Sequence, residues 1–410
     1  MSGFLFVVPP LVGHVNPAVG VAARLAARGH RVAWVCPDPA LVRRLAGEEA
    51  TVFPCAGPLF AADGTDRPAG LRGPEALKFL WERYLVPLAE AMAPGVRAAA
   101  GEFCPSVVVT DQQAFAGALV AERLGLPWAT SATTSAEFGD AYDGIPKVAE
   151  WLHGRLAGLR ALIGDPAATA DPRFSPWLTL AFSTPELVGP AGRSGPHIRY
   201  VGPSIGDRPV TAAFPWEWLD PGRAKVLVTL GTANPGIGGR FLTECVRALR
   251  DRADRVQSVV VDPDGALAAG DRDGGQDGGR DGGQDKDVLI VPSVPQLPLL
   301  ERMDAVVCHA GHNTVCEALW HGVPLVVAPV RDDQPVIAAQ VTAAGAGIRV
   351  RFGRATAAVL GAALDSVLHE PAHRAAARRV RTAFRAAGGA DAAADRLEEL
   401  ARSTTLEEAR

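Results

Sequence analysis

Paired cysteine motifs are the first thing missing from these 410 residues. Cys36, Cys55, Cys104, Cys245, Cys308 and Cys316 stand singly among apolar neighbours, with no Cys-x-x-Cys spacing. That favours reduced thiols in a core over a disulfide framework. A surplus of charge is missing too, since 41 basic against 45 acidic side chains leave a formal charge of -4. Nucleic-acid binders normally display a concentrated basic face, so no nucleic-acid partner is expected. A single diphosphate could still be held by backbone amides. Long apolar runs are absent: the cleanest, Val323 to Val330, falls far short of a membrane span. The opening residues carry no basic segment or small-residue cleavage site, and Pro9-Pro10 ends their apolar run. The expectation is a cytoplasmic chain without stable membrane insertion. No Gly-x-Gly-x-x-Gly follows either first strand, and no P-loop or Gly-x-Ser-x-Gly elbow occurs, which weakens dinucleotide-oxidoreductase, NTPase and serine-hydrolase readings.

What is present is an α/β alternation on a globular composition, 48% hydrophobic and 21% charged, at a length that suits two domains. Short β-branched runs (Phe4 to Val8, Arg31 to Val35, Ser106 to Thr110, Trp128 to Thr130) are separated by helical patterns, the first from Pro17 to Arg28. This is the pattern of βαβ units on a parallel sheet. A Pro/Gly-rich stretch after Tyr200 reads as a linker, and the alternation then restarts with Lys225 to Leu230, Val256 to Val261, Val288 to Val291, Ala305 to Cys308 and Leu325 to Ala328. The expected division is a first domain over 1–205, a linker over 206–224, a second domain over 225–385 and a C-terminal helix over 386–410. Within the second domain, 264–287 includes the repeat Asp271-Arg-Asp-Gly-Gly-Gln-Asp-Gly-Gly-Arg-Asp-Gly-Gly-Gln-Asp-Lys-Asp, which has no apolar residue to bury and reads as a disordered loop.

Two constellations carry chemistry. In Val306-Val-Cys-His-Ala-Gly-His-Asn-Thr-Val-Cys-Glu, a buried strand ends at Cys308 and a helix begins near Asn313. Helix N-terminal amides at the carboxyl end of a parallel strand favour a diphosphate, and His309, Asn313 and Thr314 can add donors. Glu317, one helical turn past Thr314, can reach a ribose. Taken alone, the run also fits an ordinary strand-turn-helix capped by Asn or Thr. The second constellation is His14, in Gly13-His14-Val15-Asn16-Pro17 on the loop after the first strand, with Asp111 at the end of another strand. A lone His or Asp at such an edge is commonly a cap or turn residue.

The spacing between Val294 and Gln334 resembles the C-terminal signature of family-1, UDP-glucuronosyl/UDP-glucosyltransferase-like enzymes, of the macrolide and natural-product type. Val294-Pro295-Gln296, His309, Gly311, Asn313, Thr314, Glu317 and Asp333-Gln334 match its pattern, with Gly322-Val-Pro324 in register. The resemblance implies a GT-B fold, two Rossmann-like doubly wound domains facing a cleft, and an inverting glycosyltransferase. Such an enzyme moves a sugar from a UDP- or dTDP-sugar to a hydroxyl or amine of a small natural-product-like acceptor, as in antibiotic biosynthesis. It implies that His309 and the turn Gly311-His312-Asn313-Thr314 contact the diphosphate, Glu317 the ribose, and Asp333 and Gln334 the donor sugar. Leu230-Gly231-Thr232 resembles the phosphate-side loop. Ser293 stands where many relatives have a Trp, leaving the main chain near Val294 to hold the base and UDP versus dTDP open. His14 becomes the general base and Asp111 its orienting partner. No metal or other cofactor is required, and the last helix is expected to cross back to the N-terminal domain. A homodimer is one option for the assembly.

Acceptor selection is expected from Pro74 to Ala100 and Ser131 to Trp151, where Phe79, Trp81, Phe138, Tyr142 and Trp151 could line an apolar pocket or belong to the core. Alternatives from other classes are a sugar-nucleotide epimerase and a non-catalytic nucleotide-binding GT-B protein. His369-Glu-Pro-Ala-His373 formally offers a zinc hydrolase, but Pro371 breaks the continuous helix that this motif needs. Cys308, His309, His312 and Cys316 could be ligands on paper, although a strand-to-helix geometry scatters them.

Overall fold

The computed structural model describes residues 1–59, 71, 73–138, 145–190, 192, 194–206, 212–231, 238–267 and 285–408, with side chains to 403. These form two compact units: one holds the described residues up to 206 together with those from Ala383 onward, the other those from 212 to 382. Tyr142, Thr232 and residues 268–284 of the Asp/Gly-rich insertion lie outside the described residues.

The first unit is built on strands β1 (Gly3–Val7), β2 (Arg31–Cys36), β3 (Val52–Pro54), β4 (Val107–Asp111), β5 (Trp128–Ala132), β6 (Leu178–Ala181) and β7 (Ile198–Tyr200). They form one sheet in the order β3-β2-β1-β4-β5-β6-β7, and every pairing is parallel. The helices are α1 (Val12–Ala27), α2 (Pro39–Ala46), α3 (Gly73–Leu80), α4 (Val86–Phe103), α5 (Phe115–Leu124), α6 (Pro146–Ile163) and the single turn α7 (Pro185–Val188). Both faces of the sheet are covered, so its strands are apolar on both sides. Alternate residues divide between the layers: Phe4, Phe6, Val107 and Val109 pack with α1 and α2, while Leu5, Val7 and Val108 pack with α4, α5 and α6. Between α3 and α4, Trp81–Leu85 forms a π-helical turn, and the Val86 amide reaches back to the Trp81 carbonyl. Pro87 has no N–H with which to continue the ordinary ladder there.

The second unit repeats the plan with β8 (Ala224–Thr229), β9 (Val256–Val261), β10 (Val288–Val291), β11 (Ala305–Cys308), β12 (Leu325–Val327) and β13 (Gly347–Arg349). Its sheet runs β10-β9-β8-β11-β12-β13 and is again parallel throughout. The helices are α8 (Gly239–Arg250), α9 (Gln296–Leu300), α10 (His312–Trp320), α11 (Gln334–Ala343), α12 (Ala357–His369) and α13 (Pro371–Ala386). The last helix, α14 (Gly389–Glu408), belongs to the first unit and packs on α1, with Ala393, Ala394 and Leu397 buried against the Phe4–Phe6 layer.

Two local expectations change, and a third, the helix break at Pro371, holds. Helix α1 starts at Val12 rather than Pro17: the Leu11 carbonyl accepts from the amides of both His14 and Val15, and Pro17 lies inside the helix. Its ring is tolerated this near the N-terminus, where only one hydrogen bond, to the Gly13 carbonyl, is forgone. His14 therefore stands in the first helical turn, not on a loop. The ends of the 264–287 segment are also held in place. The Asp262 carboxylate accepts from the amides of Ala266 and Leu267, and Arg223 donates to Asp287 at 2.6 Å. Finally, α12 ends at His369 and α13 begins at Pro371, so His369 and His373 do not share one helix.

Candidate active site

In each sheet the strand order reverses between the first strand and its inner neighbour, β1 against β4 and β8 against β11. Helices following those strands leave to opposite sides, opening a crevice at the carboxyl edge where doubly wound sheets bind ligands. The singled-out residues collect at these two places.

At the first, Asp111 closes β4 and His14 enters from the first turn of α1. The His14 Nδ1 lies 3.0 Å from each carboxylate oxygen of Asp111. Asp111 is 0% exposed and His14 17%, so the carboxylate is sealed below an imidazole that reaches the surface. The Gln113 amide donates to Asp111 Oδ1 at 2.8 Å, and the Thr133 hydroxyl donates to Oδ2 at 2.8 Å. These donors satisfy oxygens that burial would otherwise leave unpaired. Nearby Tyr84 and Cys36 are titratable but held neutral: burial, before any neighbouring charge, pushes the phenol far up and the thiol up to about 12.

At the second, the chain leaves β11 through His309 and turns at Ala310, whose φ of 66° is left-handed. An alanine there costs about 1 kcal/mol, and such strain is kept where surrounding structure holds a site in shape. Gly311 caps α10, so the amides of His312 to Thr314 occupy a first turn with no intrahelical acceptors. The His309 ring is sandwiched between two glycines: a Cβ on Gly231 would stand 2.6 Å from its Cε1, and one on Gly311 2.3 Å from its Nε2. Gly231 arrives from the loop after β8, which pairs with β11. His309 is buried, and its Nδ1 has no hydrogen-bond partner among the described residues. Burial, and after it the charge of Arg331, pulls its pKa down to about 4, so the ring is neutral near pH 7.

The remaining donor-side residues lie on adjoining elements. Gln296, first in α9, donates to the buried Glu317 of α10 at 2.6 Å. Ser293 is exposed and Val294 half-buried on the loop from β10 to α9. Asp333 precedes α11, while the Gln334 Oε1 accepts from the amides of Val330 and Arg331 and fastens the loop after β12. His312 is buried, with Nε2 3.4 Å from the Cys316 sulfur. Of the aromatic residues, Trp81 and Phe138 are buried: Trp81 packs on Phe115 and Trp151, and Phe138 packs on Phe174 and Tyr200. Phe79 and Trp151 are half-buried.

The model of the family described as "Erythromycin biosynthesis protein CIII-like, C-terminal domain" matches residues 284–400. Across almost the whole length, the chain is 30% identical to the demethyllactenocin mycarosyltransferase of Streptomyces fradiae, covering 98% of this chain and 87% of that one. The chain belongs to the GT-B glycosyltransferases of the macrolide and natural-product type. It is likewise 30% identical to the 4'-demethylrebeccamycin synthase of Lentzea aerocolonigenes, over 95% of this chain and 97% of that one. The crystal structure of the glycosyltransferase of kitacinnamycin superposes with a TM-score of 0.76 at 26% identity, covering 97% of this chain and 98% of that one.

The two constellations also contain residues that the sequence pattern did not mark. Thr133, the residue immediately after β5, was not singled out, although the polar run Thr130-Ser-Ala-Thr-Thr-Ser at the end of a buried strand was a readable signal. Arg331, the charge beside His309, was hidden in a loop. Neither metal reading gains support: His373 Nδ1 contacts the Gly345 carbonyl at 2.9 Å, and no cluster of three or more His, Cys, Asp or Glu ligands occurs among the described residues. No helix among those residues is long and apolar enough to cross a membrane.

Proposed function

We propose that the enzyme transfers a sugar, with inversion, from a UDP- or dTDP-sugar to a hydroxyl or amine of a small natural-product-like acceptor, with His14 as general base. The observation that carries this reading is the His14–Asp111 pair at the β1/β4 reversal. With Nδ1–H directed at the carboxylate, Nε2 is the basic nitrogen, and Asp111 offsets the charge the ring gains on taking a proton. The acceptor gives its proton to Nε2, its oxygen or nitrogen bonds to the anomeric carbon, and the bond from that carbon to the diphosphate breaks. The leaving charge falls to the first-turn amides of α10 and the positive end of its dipole. These groups, with His309, stand in for a divalent cation, so transfer proceeds in chelator.

His309 supports the diphosphate assignment because its buried Nδ1 is suited to a ligand contact and costs free energy without one. In this reading Gly231, Gly311, His312, Asn313 and Thr314 surround the diphosphate. Ser293, Val294 and Gln296 flank the base, and Glu317 holds the ribose. Asp333 and Gln334 take the sugar hydroxyls, Gln334 through Nε2 because its Oε1 is committed to the loop. The relatives named for demethyllactenocin and 4'-demethylrebeccamycin support a small natural-product acceptor.

The experiment is thermal-shift screening with UDP, dTDP and GDP, followed by mass spectrometry of incubations with the matching sugars and a panel of hydroxylated aglycones. A nucleotide-dependent rise in Tm and a glycosylated product are expected. His14→Ala should lower transfer by at least about a hundredfold while leaving the nucleotide shift intact. Transfer at the parent rate in that variant would remove His14 from the mechanism.

A further inference from the structure

We infer that Thr133 is a positioning residue, the third member of the His14–Asp111 pair, whose hydroxyl holds the imidazole in the Nδ1–H tautomer. The inference rests on the general-base reading of His14.

The argument is one of hydrogen counting. Thr133 Oγ1 lies 2.8 Å from Asp111 Oδ2 and 2.8 Å from His14 Nδ1, and the residue is buried. A hydroxyl has one proton, and an ionised carboxylate can only accept. The Thr133 proton therefore goes to Asp111, which turns an oxygen lone pair toward Nδ1. With both Asp111 oxygens 3.0 Å away, Nδ1 faces three acceptor atoms. A protonated Nδ1 satisfies that environment, whereas a bare Nδ1 would set its lone pair against a buried charge. The proton is thus kept on Nδ1, and Nε2 is left as the base.

Backbone register puts the hydroxyl there. Asp111 on β4 and Ser131 on β5 are paired across a parallel ladder, and Thr133 lies two residues beyond Ser131 at the same edge of the sheet. The Gln113 amide holds Oδ1 while Thr133 holds Oδ2, so the carboxylate cannot rotate without losing a bond at one end. Asp111 alone would orient the ring through two equivalent oxygens. Thr133 fixes the second of these oxygens as Gln113 fixes the first, and it ties α1, β4 and β5 to one side chain.

The test compares Thr133→Val, which keeps the shape and removes the hydroxyl, with Thr133→Ser, which keeps the hydroxyl and removes the methyl. Both are made in the full chain. The first readout, which needs no substrate, is the heteronuclear spectrum of the imidazole nitrogens, with the His14 signals assigned by their loss in His14→Ala. The second is kcat and KM for UDP-glucose and dTDP-glucose with methylumbelliferone as acceptor. The parent should show one Nδ1–H tautomer at His14, and Thr133→Val a mixture. In Thr133→Val kcat should fall about tenfold with donor KM changed less than about twofold, as for a misaligned base, and Thr133→Ser should restore both readouts. Should Thr133→Val fail to fold, Thr133→Ala takes its place.

An unchanged His14 spectrum in the variant without the hydroxyl overturns the inference. So does a raised donor KM at unchanged kcat, which would make Thr133 a substrate contact, and so does a Thr133→Ser variant as impaired as Thr133→Val, which would make the role one of packing. If His14→Ala loses transfer while Thr133→Val keeps it, this inference fails and the general base stands. If His14→Ala still transfers sugar, the general base fails with it.

Discussion

At the scale of the residue, His309 is the side chain whose surroundings make the most definite demands. Its folded pKa of about 4 lies below the ordinary imidazole value of about 6.5. Between these values the unfolded chain binds a proton that the folded one refuses. Stability from this group is thus full above about pH 6.5 and is lost as the pH falls toward 4, by on the order of 3 kcal/mol in total. Thermal denaturation of the parent and of His309→Gln at a series of pH values from 7 to 4 should show a smaller acid loss of Tm in the variant; parallel curves would contradict the burial argument. Gly311 tests the same ring sterically. Its backbone angles suit any residue, but an added Cβ would meet His309 Nε2 at 2.3 Å. Gly311→Ala should therefore displace the ring and weaken the thermal shift given by UDP or dTDP by about tenfold in affinity, about 1.4 kcal/mol. His14, Asp111 and His309 were legible in the sequence because each sits at a strand end or in a first helical turn that the apolar pattern marks, and Glu317 because it follows Thr314 by one turn of the same helix. Thr133 was not, because its role depends on a neighbouring strand's register, which local periodicity does not encode.

At the scale of the element, the attachment of α14 to α1 shows which contacts govern stability. Arg28 donates to Asp395 at 2.7 Å and to Glu398 at 3.2 Å, and His30 meets Glu398 at 3.1 Å. Yet Arg28 is 31% exposed, and pairs of that kind contribute about 0–1 kcal/mol. Leu397, on the same helix, is 0% exposed in the Phe4–Phe6 layer, and truncating a buried leucine costs about 2–5 kcal/mol. Calorimetry should therefore find a much lower Tm for Leu397→Ala than for Arg28→Ala, with the second nearly unchanged in high salt; equal losses would assign the attachment to the ion pairs. Element recognition followed the same physics. The strands read from the sequence are runs rich in apolar and β-branched residues, and all but the edge strand β10 lie inside their sheets. β3, β6, β7 and β13 escaped notice because their short runs include Pro54, Gly347 or polar residues such as Thr179 and Arg199, unlike the equally short but wholly apolar β10, β11 and β12. The start of α1 was displaced because a proline inside a first helical stretch resembles a helix boundary.

At the scale of the whole molecule, the chain order of the two units and their physical membership differ. The two parallel sheets were legible as two runs of alternation, one on each side of the Pro/Gly-rich stretch. The return of the last helix was not, since nothing in the amphipathic pattern of 389–403 names the face it covers. That expectation came from the family resemblance. The consequence is that removing 387–410 takes a helix from the N-terminal unit, where its Ala393, Ala394 and Leu397 pack against the layer containing α1, and leaves the sheet around His309 with its own core. The truncated chain should keep the thermal shift with UDP or dTDP while losing sugar transfer, because α1 carries His14 and loses the helix that covers it. Calorimetry would show the transition belonging to the first unit lowered or lost and the nucleotide-responsive one retained. Loss of nucleotide binding along with transfer would instead mean that the two units unfold as one, and that the last helix supports both sheets.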